Sequence, residues 1–231
     1  MKNFFEKHET LVCMLLIVIY LVVNSYCMQN FGLVDYRTFA VNTTLSVMLV
    51  ILMLKLKKTK YYGLAKITNP KKYLYFLPLL LIVSVNLWNG FNINYTTSEI
   101  VFYILNMINI GFLEEIIFRG FLFKMMAKGN VNIAIVVSAV TFGIGHIINL
   151  FNGGDVIGTL LQVCYAISIG YLFVIIFHKS KSLLPCIITH CLVNSLSVFN
   201  MENSNLLYLS SLFLIVAPLI YAIYLNKNIK D

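Results

Sequence analysis

The chain has 231 residues, of which 60% are hydrophobic and only 11% are charged. A soluble domain usually carries about a quarter charged residues, so this composition argues against a water-soluble globular domain and favours a membrane protein. The formal net charge is +8, but the lysines fall in short loops between apolar runs. That distribution is typical of membrane topology, so we expect no nucleic-acid partner.

Eight apolar runs are long enough, or nearly so, to cross a bilayer, which takes about 20 helical residues. They lie at 11–28, 38–56, 73–89, 99–125, 131–150, 156–178, 182–200 and 206–225. The first run is longer than the apolar core of a signal peptide and precedes no small-x-small cleavage site, so we interpret it as a membrane helix. The predicted fold is all-α: a polytopic membrane helix bundle of about eight transmembrane helices.

The positions of the lysines predict the orientation of this bundle. If the N-terminus is cytoplasmic and the spans alternate, every lysine falls on the cytoplasmic side, and Arg37 is the only basic residue in the outer loops. The outer loops also carry acidic residues, namely Asp35, Glu99, Asp155 and Glu202. The positive-inside rule then places both termini in the cytoplasm. Frequent Lys, Asn and Ile are typical of an AT-rich bacterial genome, so we expect a multi-pass protein of a bacterial cell membrane.

Five ionisable residues lie inside the predicted spans, where a charge at mid-bilayer costs about 2.5–3.5 kcal/mol. They are Glu114, Glu115, Arg119, His146 and His190. Glu115 and Arg119 are four residues apart, so they share a helical face and can form an ion pair. Glu114 is rotated by about 100° around the helix and can face another partner. Such residues must find partners inside the bundle, and they usually mark function.

Two other spacings favour a shared cavity. His190 and Asn194 are four residues apart, so an imidazole and an amide project side by side from one helix. His146 follows two glycines, Gly143 and Gly145, which would let a neighbouring helix or a substrate backbone come close. From the depth of the polar residues within their spans, we expect a cavity that opens toward the cytoplasmic side or laterally toward the inner leaflet.

Three short motifs, each on its own span, resemble those of the Abi or CPBP family, which includes the eukaryotic CAAX prenyl endopeptidases. Residues 114–119 read EExxxR, residues 142–146 read FxxxH and residues 190–194 read HxxxN. The resemblance covers about 97–200 and implies an eight-helix bundle and an intramembrane endopeptidase. It divides one membrane-embedded unit into N-terminal helices and a cytoplasmic loop (1–96), a catalytic core (97–200) and a C-terminal helix (201–231).

The resemblance also implies how the motif residues hydrolyse a peptide bond. Glu114 would be the general base, and His146 would hold the same water molecule from its other side. His190 and Asn194 would donate hydrogen bonds to the oxyanion. Glu115, neutralised by Arg119, would keep the geometry of the site.

The use of a metal is left open by the residues. Glu114, His146 and His190 would make a plausible zinc set of two histidines and one glutamate with one open position. However, no HExxH motif is present, and the family has been described both as metalloproteases and as metal-independent glutamate proteases. The cofactor is therefore either zinc or none.

The expected partners are the lipid bilayer and a peptide or membrane-associated protein substrate, such as a pheromone or bacteriocin precursor. Two other functions fit the polar cluster. The first is a bacteriocin immunity or membrane scaffold protein without proteolysis, because the family includes members linked to self-immunity. The second is a proton-coupled transporter, in which buried Glu, His and Arg form a relay. The sequence has no paired broken helices that would indicate inverted repeats, which argues against a transporter.

Overall fold

The computed structural model describes residues 2–67, 76–88, 90–201 and 204–229. Its first half contains α1 (Lys2–Lys7), α2 (Glu9–Asn30), α3 (Tyr36–Leu56), α4 (Leu79–Ser84) with a 3-10 turn (Val85–Leu87), and α5 (Thr97–Glu114). A π-helical segment (Glu115–Phe123) continues α5. The second half contains α6 (Lys124–Met126), α7 (Val131–Gly145), α8 (Ile148–Phe151), α9 (Val156–Ser180), α10 (Leu184–Leu196) with a 3-10 turn (Ser197–Phe199), and α11 (Ser204–Asn228).

The all-α membrane bundle predicted from the sequence is confirmed. In the part of the chain that the structure describes, six helical stretches are long and apolar enough to cross a membrane: Glu9–Asn30, Tyr36–Lys55, Thr97–Met126, Val131–Phe151, Val156–Ser180 and Leu206–Asn228. The predicted span 182–200 is a shorter apolar helix, and the predicted span 73–89 lies partly outside the described residues. The count of eight is therefore approximate.

The span predicted at 182–200 is shorter than its apolar run because its first residues bond to a loop instead of entering the helix. The backbone N–H of Leu183 donates to the carbonyl of Gly63 at 2.9 Å. The hydroxyl of Ser182 donates to the carbonyl of Ala65 at 2.5 Å. Hydropathy alone does not distinguish apolar residues held by a loop from those inside a helix.

Helix starts at one end of the bundle are fixed by side-chain caps. The carboxylate of Asp35 accepts from the backbone N–H of Arg37 at 2.7 Å and begins α3. Thr96 and Glu99 form a reciprocal capping box that begins α5. Hydrogen bonds from the Arg37 side chain and backbone lower the pKa of Asp35 to about 2, so this carboxylate stays charged. We call this end the acidic end; it comprises the loops at 31–35, 91–96 and 152–155.

The opposite end, which we call the lysine-rich end, comprises residues 57–67, 124–131 and 179–184. Its longest loop, 57–67, folds onto the bundle. Tyr62 is completely buried, and its ring stacks on Phe121 with 4.1 Å between ring centroids. Burial raises the pKa of the Tyr62 phenol. Gly63 has φ +98°, and a Cβ there would lie 2.6 Å from Cγ of Leu183, so this close approach requires glycine.

Helices α7 and α9 pack closely through Gly143. A Cβ at that position would lie 2.9 Å from the backbone oxygen of Val163 and from the backbone nitrogen of Ile167. The close helix approach that the sequence predicts is therefore confirmed at Gly143. At Gly145 the nearest atom to an added Cβ would be 3.8 Å away, on Leu21, so that glycine makes no such contact with α9.

Candidate active site

The EExxxR motif lies where α5 changes from an α-helix to a π-helix. Glu114 is the last residue of α5, and Glu115 is the first of the nine-residue π-helical segment, all of which is buried. Segments of π-helix are rare and frequently occur at functional sites. The Ser138 hydroxyl on α7 donates to the Phe118 carbonyl at 2.8 Å, which fixes the segment against its neighbour. The sequence did not predict this change of helix type.

The predicted ion pair between Glu115 and Arg119 is present. Nη1 of Arg119 lies 3.2 Å from Oε1 of Glu115, and both side chains are fully buried. The guanidinium carbon lies 3.9 Å from the ring centroid of Phe142, which adds a cation–π contact. Gly170 leaves room for this arrangement, since a Cβ there would approach Nη2 of Arg119 to 3.0 Å.

His190 lies between the two glutamates. Its Nδ1 is 2.8 Å from Oε1 of Glu115, and its Nε2 is 3.3 Å from Oε2 of Glu114. An ionised carboxylate can only accept hydrogen bonds, so we assign a proton to Nδ1 of His190. Residues 75 positions apart in the chain are thus joined through one imidazole ring. The first and third motifs meet as the resemblance implies.

The sequence does not single out one residue of this cluster, Tyr20. Its hydroxyl donates to Oε1 of Glu114 at 2.6 Å, and the side chain is only 2% exposed. Tyr20 lies on α2, well outside the motif region. Tyrosines of membrane helices are common at the membrane interface, which is the role that composition alone suggests. A phenol in the middle of an apolar run needs a hydrogen-bond partner, and that is the signal that could have identified it.

His146 is the first residue after α7. Its Nδ1 lies 3.1 Å from the carbonyl oxygen of Phe142, so this nitrogen carries the proton in the neutral ring. Nε2 then keeps a lone pair. The ring also meets Phe142 edge-on, with 5.0 Å between ring centroids. The FxxxH spacing therefore lets the phenylalanine position the histidine through both its carbonyl and its ring.

These side chains line a cavity of about 610 Å³. The cluster residues in its wall are Tyr20, Glu114, His146, His190 and Asn194. Among the described residues, Glu115 and Arg119 do not belong to this wall and so lie behind it. Side-chain amides are frequent in the rest of the wall, at Asn24, Asn86, Asn149, Asn152 and Gln162. The volume is in the range of small-ligand sites and suits a short peptide segment rather than a folded domain.

The cavity extends to the acidic end, where Leu33, Asn152, Gly154 and Asp155 line it. No described residue of the lysine-rich end belongs to its wall. The part of our expectation that places the opening at the lysine-bearing end is therefore wrong. It failed because it averaged the depths of Glu114, His146 and His190 and took the nearer face for the opening, whereas the loops that line the cavity lie at the acidic end.

Glu114, His146 and His190 do not form a metal-ligand set in this arrangement. Among the described residues, no three His, Cys, Asp or Glu side chains lie together as a group that could hold a metal ion. Both ring nitrogens of His190 face carboxylates, and Nδ1 of His146 faces a backbone carbonyl. The contacts of His190 occupy both of its ring nitrogens, whereas Nε2 of His146 is still open to a ligand. The chemistry below is therefore derived from the side chains alone.

Comparison with known proteins identifies the region that carries the motifs. Residues 96–196 match a family model described as type II CAAX prenyl endopeptidase Rce1-like. No curated protein and no solved structure gives a match. The matched segment includes all three motifs. The match supports an intramembrane CAAX-protease-type function in general. Residues 96–196 are thus similar to this Rce1-like family, which belongs to the CPBP family that the motifs resemble.

Proposed function

We propose that this chain is an intramembrane endopeptidase that cleaves a peptide or a membrane-associated protein, with Glu114 as the general base. One observation carries the proposal: the Glu114 carboxylate borders the cavity while Tyr20 and His190 approach its two oxygens. A carboxylate at a cavity wall that accepts from Tyr20 on one oxygen and faces His190 with the other is suited to take a proton from a water molecule in a fixed position.

The reaction needs only water and the peptide bond. Glu114 takes one proton from water, and the resulting hydroxide adds to the carbonyl carbon of the substrate. The Nε2 lone pair of His146 accepts the other O–H of that water and orients it. The tetrahedral intermediate then collapses as Glu114 returns its proton to the leaving nitrogen, which yields a carboxylic acid and an amine.

The negative oxygen of the intermediate needs donors. The amide of Asn194 borders the same cavity, and its N–H groups are suitable donors. His190 is a second donor when its ring is protonated, since Nε2 already faces into the cluster. Removing one such donor in other enzymes costs about 2.7–4 kcal/mol of transition-state stabilisation.

The Glu115–Arg119 pair acts from behind the cavity wall. Glu115 accepts the Nδ1 proton of His190, which fixes the orientation of the ring. Arg119 balances the charge that this acceptor would otherwise leave buried. We therefore propose that both are positioning residues and that neither contacts the substrate.

The test compares membrane peptides from strains that express the wild-type chain, Glu114→Gln or no protein. The proposal expects the same uncleaved precursors in the Glu114→Gln strain and in the deletion strain, with cleavage restored by the wild-type chain. Glu99→Gln is the matched control, because Gln can keep the capping box at the start of the same helix. Identical peptide sets in the wild-type and Glu114→Gln strains would contradict the proposal and favour an immunity or scaffold role without proteolysis.

A further inference from the structure

We propose that the cavity receives its substrate from the acidic end and that this end faces the outside of the cell. The inference rests on the proposed function and specifies its substrate: a peptide segment presented on the extracytoplasmic side of the membrane. Three independent features support it, namely the walls of the cavity, the closure of the opposite end and the distribution of charge.

The cavity has its mouth between two loops of the acidic end. Leu33 lies in the α2–α3 connection, and Gly154 and Asp155 lie between α8 and α9. Gly154 and Asp155 are exposed. Asp155 also caps α9 by accepting from the backbone N–H of Gly158 at 2.6 Å, so the rim is held by a defined turn. A substrate segment can pass between these loops to Glu114.

The lysine-rich end is closed by the loop 57–67. Tyr62 is buried against Phe121 of the π-helical segment. Phe121 follows the two glutamates in the same helical stretch, on the side of the lysine-rich end. A Cβ at Gly120 would lie 3.1 Å from the carbonyl oxygen of Tyr62, so loop and segment are in close contact. The bond from Leu183 to Gly63 joins the same loop to α10. A peptide could reach the cluster from this end only if the loop moved away.

The charges identify which end is cytoplasmic. The described lysines other than those within α1 lie at or next to the lysine-rich end: Lys55, Lys57, Lys58, Lys60, Lys66, Lys124, Lys128, Lys179, Lys181 and Lys227. The acidic end carries Asp35 and Asp155, and the first helical turns next to it carry Glu99 and Arg37. Basic residues in short loops stay on the cytoplasmic side, so the mouth of the cavity faces outward.

The wall also fits an uncharged stretch of polypeptide. No lysine or arginine among the described residues lines the cavity. Apart from Glu114, His146 and His190, the ionisable residues in its described wall are Asp155 at the rim and tyrosines. An extended peptide inside a membrane must satisfy each backbone N–H and C=O. Amide side chains both donate and accept, so the asparagines and glutamine of the wall can pair with such a backbone. The amide of Asn149 donates to the side-chain oxygen of Gln162 at 2.8 Å, so two of these amides are adjacent in the wall.

Thiol labelling tests the direction without any substrate. Met28 lies near the end of α2 and lines the cavity close to its mouth. In a background with the five native cysteines changed to alanine, single cysteines are placed there (Met28→Cys) and at the lysine-rich end (Lys60→Cys). Intact cells are treated with a membrane-impermeant maleimide, and a second sample is permeabilised first. We expect Met28→Cys to label fully in intact cells and Lys60→Cys to label only after permeabilisation. If the alanine background does not accumulate, the same variants are made in the native chain and its own labelling is subtracted.

Each other pattern overturns the proposal. Labelling of Lys60→Cys in intact cells would place the lysine-rich end outside. A Met28→Cys that labels only after permeabilisation, or not at all, would show that the cavity does not open outward. Adding Glu114→Gln should leave the pattern unchanged, so the direction is decided even if the chain proves not to be a protease.

A second measurement tests the route of the substrate. The precursors found in the Glu114→Gln strain are followed in intact cells after maleimide treatment. We expect modified Met28→Cys to lose at least about 10-fold in cleavage while Lys60→Cys keeps its untreated rate. Full labelling of Met28→Cys with unchanged cleavage would overturn the outward route. A wild-type chain that cleaves nothing would instead overturn the proposed function.

Discussion

Replacing Arg119 by methionine tests how much the buried ion pair stabilises the site. Glu115 and Arg119 have no exposed surface and lie 3.2 Å apart, so the substitution leaves the Glu115 carboxylate charged inside the bundle, with the hydrogen bond from His190 but without its arginine. Breaking a buried pair typically costs about 3–5 kcal/mol. For a chain of this size, 1 kcal/mol shifts the unfolding temperature by about 2–4 °C, so we expect a loss of roughly 6–20 °C.

The assay is thermal unfolding of the purified protein in one detergent, followed by circular dichroism. The matched control is the double variant Glu115→Gln/Arg119→Met, which removes both charges but keeps a side-chain oxygen to accept from His190. We expect it to recover most of the lost stability and to remain impaired in cleavage. An unfolding temperature of Arg119→Met within about 2 °C of wild type would refute this reasoning, because the expected cost is several kcal/mol.

Four other substitutions probe the packing and the base. Gly143→Ala should destabilise the protein by about 1–3 kcal/mol, because its Cβ would meet backbone atoms of α9. Gly145→Ala is the control and should be neutral or slightly stabilising. Chemical unfolding of both variants measures the difference. Tyr20→Phe should lower kcat/KM roughly 10- to 100-fold without loss of folding, because it removes a hydrogen bond to a carboxylate; an unchanged kcat/KM would remove Tyr20 from the site. His146→Ala should abolish cleavage at an unchanged unfolding temperature, and retained turnover would contradict its role in holding the water.

Local spacing predicted the parts of the site that lie on one helix. Glu115 and Arg119 pair because residues four apart share a face, and the π-helical segment does not separate them. The resemblance implied that His190 shares a site with Glu114, and in the structure its ring lies between the two glutamates. These contacts follow from patterns within the motif region, where membrane burial requires each charge to find a partner.

Features that depend on contacts between distant segments could not be predicted. Tyr20 reaches Glu114 from a helix 94 residues earlier in the chain, and no motif marks it. Tyr62 is buried within a loop whose lysines predicted only the orientation of the bundle. The direction of the cavity depends on this loop and on the loops at the acidic end that line the cavity. Hydropathy and spacing describe one helix at a time, so they do not predict how a loop packs over the bundle.

The turnover of purified protein, measured by mass spectrometry, shows whether Glu114 is the general base. The substrate is a precursor that accumulates uncleaved in the Glu114→Gln strain. General-base catalysis typically contributes about 10²- to 10⁴-fold, so we expect Glu114→Gln to lose at least about 100-fold in kcat while Glu99→Gln retains wild-type turnover. Near-wild-type turnover by a folded Glu114→Gln variant would exclude Glu114 as the base.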